Sequence, residues 1–290
     1  MIPVIWWDGA RGNWDCGLLL RVFEKYPSVF EQYNDKVYPD VKRAIVIVVG
    51  RPKIGPLKSY LSKLKSGVVI MTGDEECSFN CDEAVPKHLE MWTQCYAPHR
   101  SHIKERLLLG TPNRPGYKYN TWMPKKYLWS FVGQKQNPHR DRCVEVLSKL
   151  RDGFLHVVDG FGGQGNGIEY QQYLDICCQS RFVICPSGSM TADTFRVYEA
   201  MECGAIPIAD RRSPRDEPGF NYWIECYPHN TVFAISEWTE EIYEFMQCYP
   251  LHPLEEIDIP VVAAKMDYKN NFWWEKYKQG VENKLLKLAV

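Results

Sequence analysis

Residues 181–210 combine a polar turn with a charged helix, which is a pattern suited to binding an anion. An apolar run ending at Pro186 predicts a buried strand, and the small polar residues after it predict a tight turn. Asp193 is expected to cap a helix that Gly204 ends, and a second apolar run then predicts another strand. Such a turn directs free backbone N–H groups and the positive end of a helix toward one point. The segment therefore predicts a phosphate-binding site.

Arg196 and Glu199 lie three residues apart on the predicted helix. At about 100° per residue they share a face that differs from the apolar face. The arginine could pair with a diphosphate, and the carboxylate could accept hydrogen bonds from ribose hydroxyls. The alternative is a surface ion pair, which would contribute only a few tenths of a kcal/mol. Spacing alone leaves both interpretations open.

In these motifs the chain resembles the nucleotide-sugar-binding core of exostosin-family glycosyltransferases. The matching residues are Cys185, Pro186 and Gly188, then Asp193, Thr194, Phe195 and Arg196, then Glu199 and Ala200, and finally Gly204, Ala205, Ile206 and Pro207. The chain departs from the family at Ser187, where arginine is common. A weaker similarity over residues 129–147 adds a glycine and an arginine-bearing helix. The resemblance covers the C-terminal half well and the N-terminal half poorly. Among exostosin-like chains, this one is similar to the short enzymes of large algal viruses, which build glycans on capsid protein.

The resemblance implies that the C-terminal half binds a nucleotide diphosphate sugar. The predicted donor-binding residues are Gly133, Arg140, Ser187, Gly188, Ser189, Asp193, Thr194, Arg196, Glu199 and Arg211. Arg211 is included because it follows the second strand with Arg212 and Arg215, where one arginine could hold the diphosphate leaving group. The three arginines could equally lie in a solvated loop.

Apolar strand patterns alternate with helical patterns in two series along the chain, which indicates parallel sheets flanked by helices. The first series includes a predicted helix over residues 83–92. A segment rich in proline and glycine, residues 111–126, separates the series. The predicted fold is therefore α/β, with two Rossmann-like domains facing each other across a cleft in the GT-B arrangement. We predict an acceptor-binding domain over residues 1–115, a nucleotide-sugar domain over 125–265, and a C-terminal helix, 268–290, that packs back on the first domain.

In such an architecture the catalytic base projects from a loop of the first domain. It must accept a proton from the acceptor hydroxyl as that hydroxyl attacks the anomeric carbon. One loop offers Asp8 and Asp15, and a second offers Asp74, Glu75 and Glu76 after an apolar strand. The resemblance favours Asp74 or Glu75, because exostosin-like chains often show Gly-Asp-Glu after a strand. The alternatives are that Asp15 caps a helix and that Asp74 closes a turn.

Composition agrees with a soluble enzyme. A net charge of −1 argues against a nucleic-acid partner, and no apolar run is long enough to span a bilayer. The first residues lack the pattern of a signal peptide. The eleven cysteines are odd in number and scattered along the chain, which is expected of a protein in a reducing compartment, where cysteines stay unpaired. We therefore expect a cytoplasmic protein or a trimmed catalytic domain.

Metal chemistry has weak support in the sequence. No Asp-x-Asp pair is present, so a metal-dependent, single-domain glycosyltransferase is disfavoured. Cys77, Cys81, Cys95 and His99 approach a zinc pattern, but their spacings are loose. The glycine-rich residues 161–167 lack the lysine of a phosphate-binding P-loop.

The predicted function is an inverting glycosyltransferase, hexosyl- or pentosyltransferase, that needs no metal or other cofactor. Its donor is expected to be UDP-linked, with xylose favoured by the resemblance, and its acceptor an oligosaccharide or glycoprotein. A non-catalytic nucleotide-sugar or glycan-binding protein of the same fold remains the alternative.

Overall fold

A computed structural model of the chain describes residues 1–34, 38–94, 103–158, 166–226, 232–249 and 266–289. The chain forms two compact units. The first unit consists of Met1–Pro115 and Tyr277–Val290, and the second consists of Gly116–Lys276.

The first unit contains a six-stranded parallel sheet in the order β2-β1-β3-β4-β5-β6. Its strands are β1 (Ile2–Trp6), β2 (Phe30–Tyr33), β3 (Arg43–Val49), β4 (Ser66–Thr72), β5 (Glu90–Thr93) and β6 (Ile103–Arg106). Its helices are α1 (Gly17–Lys25), α2 (Ile54–Leu61) and α3 (Cys81–Ala84), with short 3-10 segments at Trp7–Gly12 and Trp14–Cys16.

The central strands β3 and β4 are nearly continuous apolar runs because helices cover both faces of the sheet. On one face, α2 packs Leu57 and Leu61 against Val46 and Val48. The predicted helix over residues 83–92 is wrong. The helix α3 ends at Ala84, and residues 90–93 form β5, which pairs with β4.

The second unit contains a five-stranded parallel sheet in the order β8-β7-β9-β10-β11. Its strands are β7 (Tyr127–Gly133), β8 (Gly153–Val157), β9 (Ser180–Cys185), β10 (Ile206–Asp210) and β11 (Phe233–Ile235). Its helices are α4 (Pro138–Leu147), α5 (Tyr170–Cys178), α6 (Phe195–Glu202), α7 (Tyr222–Cys226) and α8 (Glu241–Cys248). Helices α4 and α8 share one apolar core with the sheet, and α5 and α6 pack together against β9.

The last helix, α9 (Met266–Lys287), contributes to both units. Within the second unit, the indole of Trp274 donates a hydrogen bond of 2.8 Å to Glu202. Within the first unit, the hydroxyl of Tyr277 accepts a hydrogen bond of 2.7 Å from the backbone N–H of Leu108. Lys284 then pairs with Glu105 at 2.6 Å.

Each sheet reverses its strand order once, as doubly wound α/β sheets do. The reversal lies between β1 and β3 in the first unit and between β7 and β9 in the second. In sheets of this kind, ligands bind outside the carboxyl ends of the strands at the reversal point. The predicted fold class of two Rossmann-like α/β domains is confirmed, and the strand order indicates where each unit offers a binding site.

Candidate functional site

The turn after β9 is anchored through every polar group of Ser187. Its backbone N–H donates to the carboxylate of Asp210 at 2.7 Å. Its carbonyl accepts from Arg140 Nε at 2.9 Å and from Asn137 Nδ2 at 3.1 Å. Its hydroxyl oxygen lies 3.3 Å from His139 Nδ1. These bonds fix the turn to the end of β10 and the start of α4, beside the reversal point of the sheet.

The rest of the turn becomes progressively more exposed. Gly188 is partly buried, and its N–H donates to the carbonyl of Thr191 at 2.9 Å. Ser189 is exposed. Arg215 lies 3.6 Å from the sulfur of Met190 and so brings a positive charge to the turn.

Asp193 does not cap the helix, so that expectation is wrong. Thr194 is the N-cap residue of α6, which begins at Phe195. The carboxylate of Asp193 is buried and accepts hydrogen bonds from Tyr198 at 2.6 Å and Tyr222 at 3.2 Å. Because Tyr198 lies on α6, these hydrogen bonds tie Asp193 to the first turns of that helix. Among the described residues, the buried hydroxyl oxygen of Thr194 has no hydrogen-bond partner.

Arg196 points to the end of β7. Its guanidinium carbon lies 5.2 Å from the ring centroid of Phe131, and Nη2 donates to the carbonyl of Val132 at 3.0 Å. A Cβ at Gly133 would lie 2.6 Å from Nη2, so glycine is needed there to make room for the arginine. The buried Nε of Arg196 makes no hydrogen bond to any described residue. A buried cationic donor without a partner among the described residues therefore lies beside the reversal point of the sheet.

Glu199 is buried and is held by two tyrosines of α5. Its carboxylate accepts hydrogen bonds from Tyr170 and, at 2.7 Å, from Tyr173. Burial, with the nearby Cys177 and Glu199, raises the pKa of Tyr173 well above its usual value. The phenol therefore stays protonated and donates to Glu199. The interpretation of Arg196 and Glu199 as a surface ion pair is wrong, because both side chains are built into the protein.

The arginines after β10 occupy different positions. Arg211 is partly buried, and its Nε donates to the carbonyl of Ala234 at 3.2 Å. Arg212 donates to the carbonyl of Asp216 at 3.0 Å. Arg211 is therefore tied to β11, and Arg212 braces its own loop. Arg215, by contrast, contacts the turn after β9.

Four residues of this site were missed in the sequence: His139, Tyr170, Tyr173 and Asp210. Tyr170 and Tyr173 have i,i+3 spacing on α5, which places both side chains on one face. Asp210 ends an apolar strand, which is a position that often carries function in parallel sheets. These two patterns could have suggested the residues, although not their partners.

In the first unit, Asp74 closes a turn. Its side chain is 2% exposed, and its two oxygens accept hydrogen bonds of 3.2 Å from the backbone N–H groups of Ser78 and Phe79. A carboxylate held in this way has a structural role. The geometry therefore supports the turn-closing alternative for Asp74.

Asp15 lies in a different environment. Asp15 does not cap α1, whose N-cap residue is Cys16. One carboxylate oxygen is packed so closely on Gly73, after β4, that a Cβ there would lie 2.5 Å from it. No described residue donates a hydrogen bond to the carboxylate. Burial and the nearby Glu75 raise the pKa of Asp15 to about 6. A carboxylate with these properties is suited to general base catalysis near neutral pH.

The other three candidate carboxylates are exposed. Asp8 has a left-handed backbone conformation, with φ of 52°, and its N–H donates to the hydroxyl of Tyr38 at 2.7 Å. Glu76 forms an ion pair with Arg51. Glu75 lies near enough to Asp15 to raise its pKa.

A cavity of about 670 Å³ opens beside the loop that carries Asp15. Its lining includes Gly12 and Gly17 from that loop region, together with Arg21 and Arg114. The guanidinium of Arg114 lies 4.6 Å from the ring centroid of Trp14. The cavity belongs entirely to the first unit and is large enough for a small ligand.

Within the described residues, no three His, Cys, Asp or Glu side chains come together as a potential metal site. Of the zinc-like pattern, Cys95 and His99 lie outside the described residues, as do residues 161–165 of the glycine-rich loop. The described helices include none with the length and hydropathy needed to cross a bilayer.

Residues 112–221 match the family model of the RXYLT1 C-terminal domain. The match supports an exostosin-like glycosyltransferase. It spans every predicted donor-binding residue, from Gly133 to Arg211, and leaves most of the first unit outside. No curated protein matches the chain.

Proposed function

We propose that the protein is an inverting glycosyltransferase that transfers a sugar from a UDP-linked donor to a hydroxyl of a glycan acceptor. The observation that carries the proposal is the unpartnered, buried Nε of Arg196 at the reversal point of the second sheet, inside the segment that matches the RXYLT1 C-terminal domain. A cationic donor at this position is suited to a diphosphate.

The donor site is proposed to use the first turn of α6, which carries Arg196, and the middle of the helix, which carries Glu199. Arg196 and the Ser187 turn bind the diphosphate beside the positive end of the helix. Glu199 accepts hydrogen bonds from the ribose hydroxyls. Two tyrosine hydroxyls already contact Glu199. Because an ionised carboxylate can accept about four hydrogen bonds, Glu199 can also accept hydrogen bonds from the ribose.

Asp15 is proposed as the base, in place of Asp74. The acceptor oxygen attacks the anomeric carbon, its proton passes to Asp15, and the bond from that carbon to the diphosphate oxygen breaks. The electron pair leaves with the diphosphate. Because attack comes from the face opposite the leaving group, the anomeric configuration inverts.

Xylose is the proposed sugar, since the matching family model is that of a xylosyltransferase-type domain. The proposed acceptor is an oligosaccharide or glycoprotein, as the family resemblance implies. A cytoplasmic location is proposed because every cysteine in the described ranges is free. Burial also raises the pKa of Cys143 and Cys185 well above the usual value, which keeps these thiols unreactive.

A screen of UDP- and GDP-sugars tests the proposed function. A donor at 100 times its Kd is expected to raise the free energy of unfolding by about 2.7 kcal/mol, because it binds only the folded protein. Thermal unfolding measures this shift, and slow donor hydrolysis measures turnover. Stabilisation without any product, with a range of glycan acceptors, would favour the non-catalytic binding protein.

Turnover is expected to survive EDTA. Arginines and the start of α6 can neutralise the diphosphate, so the donor site has no need of a divalent cation. Activity is measured after dialysis against EDTA and again after Mn²⁺ is added back. A large loss that Mn²⁺ restores would instead favour a metal-dependent glycosyltransferase.

A further inference from the structure

His139 is fixed along one edge of its ring. It is the second residue of α4, and its Nδ1 lies 3.3 Å from the hydroxyl of Ser187 and 3.5 Å from the carboxylate of Asp210. Asp210 is only 3% exposed, so its charge is poorly screened by water. The carboxylate therefore favours a proton on Nδ1.

The opposite edge of the ring is open. Nε2 of His139 makes no hydrogen bond to any residue that the structure describes, and the side chain is 21% exposed. With a proton held on Nδ1, the neutral ring presents only a lone pair at Nε2. The protonated ring presents an N–H donor there, and only that form attracts an anion.

The surroundings of His139 are those of the donor diphosphate. The residue follows the N-cap Asn137 at the positive end of a ten-residue helix, beside the anchored Ser187 turn. The charged groups at this end of α4 are Asp210 on β10, Arg196 on α6, and Arg140 on α4 itself. All three are close enough to influence the pKa of the buried Cys143. The exposed Asp141 follows on the same helix. Arg196 adds the unpartnered donor of the same site.

We propose that His139 is a diphosphate-binding residue that donates a hydrogen bond from Nε2 in its protonated form. This inference rests on the proposed donor site. Asp210 is then a positioning residue, because it holds the Ser187 turn and its carboxylate lies 3.5 Å from Nδ1 of His139. Donor affinity is consequently expected to be higher when His139 is protonated than when it is neutral.

The test is the binding of UDP-xylose, measured by titration calorimetry at about pH 6 and pH 8. The diphosphate of this probe keeps its charge across the range, so a change in affinity reports on the protein. Wild-type affinity is expected to be about 5- to 20-fold higher at the lower pH, as expected for a charge-assisted hydrogen bond. His139→Gln should lose this difference. The control, His88→Gln, removes a histidine of the first unit and should keep it.

Calorimetry in buffers of different ionisation enthalpy supplies a second readout that does not depend on a variant. Binding at about pH 7.5 is expected to take up protons in the wild type, and His139→Gln should abolish the uptake. Equal affinity at both pH values with no proton uptake would overturn the role of His139 and leave the proposed function standing. Failure of the wild type to bind any nucleotide sugar would contradict both the role of His139 and the proposed function.

Discussion

Asp15→Asn is expected to lower turnover by about 10²- to 10⁴-fold, because the amide keeps the shape of the side chain but cannot accept the acceptor's proton. Donor affinity should stay unchanged, since the donor residues belong to the second unit. Turnover with saturating donor and acceptor measures the loss, and calorimetry measures the affinity. In the wild type, turnover should rise with pH through about 6 as the carboxylate ionises.

The same substitution should stabilise the protein. Folding raises the pKa of Asp15 from 3.8 to about 6, so the folded state binds more protons between these values. The free energy of unfolding therefore falls as pH rises through this window. Above about pH 6 the ionised Asp15 carboxylate destabilises the folded state to the full extent. Asparagine does not ionise. We expect Asp15→Asn to raise the free energy of unfolding at about pH 8 by roughly 1 to 3 kcal/mol, with the gain lost below about pH 4.

Asp74→Asn is the matched control for Asp15→Asn. One oxygen that accepts a backbone N–H becomes an amide nitrogen, so the turn after β4 is weakened and stability should fall by about 1 to 3 kcal/mol. Turnover of the folded variant should stay near normal. If Asp74→Asn instead abolishes turnover at normal stability while Asp15→Asn does not, the base lies in the second loop, as the family resemblance suggested.

The difference between Asp15 and Asp74 shows what the sequence could reveal about the base. Both aspartates follow a strand and precede a helix, and the sequence allows each to be either a catalytic base or a local structural residue. Whether an aspartate has a structural or a catalytic role depends on whether backbone N–H groups four and five residues later donate to its carboxylate, as they do for Asp74. It also depends on the approach of Asp15 to Gly73, which is a contact between separate loops. Neither is a property of local spacing.

The fold was more predictable than the site. Parallel sheets follow from the alternation of apolar runs with helical patterns, and both sheets could be inferred on that basis. The error over residues 83–92 arose because a short apolar run fits either a strand or a helix, and pairing with β4 decided it. For Glu199, helical spacing correctly placed the residue beside Arg196 on one face. Its tyrosine partners come from a different helix, so periodicity within α6 could not indicate them.

Gly133 offers a way to test Arg196 without removing the arginine. A Cβ at Gly133 would lie 2.6 Å from Arg196 Nη2 and 3.0 Å from the Phe131 ring, so the guanidinium must shift. Gly133→Ala is expected to weaken UDP-xylose binding by about tenfold, and Arg196→Ala by on the order of 1.5 kcal/mol or more. Calorimetry measures both, with urea denaturation to confirm folding. Gly219→Ala, which meets no atom within 4 Å, is the control and should bind normally.

The double variant distinguishes the proposed mechanism from general damage to the sheet. If Gly133 matters because it makes room for the guanidinium, then Gly133→Ala should add little to the loss once Arg196 is already alanine. Residues in contact are expected to be non-additive in this way, whereas independent effects add to within about 0.5 kcal/mol. Full additivity would show that Gly133→Ala acts by another route. If Arg196→Ala binds UDP-xylose with undiminished affinity, the arginine does not contact the donor, and the proposed role of its Nε is wrong.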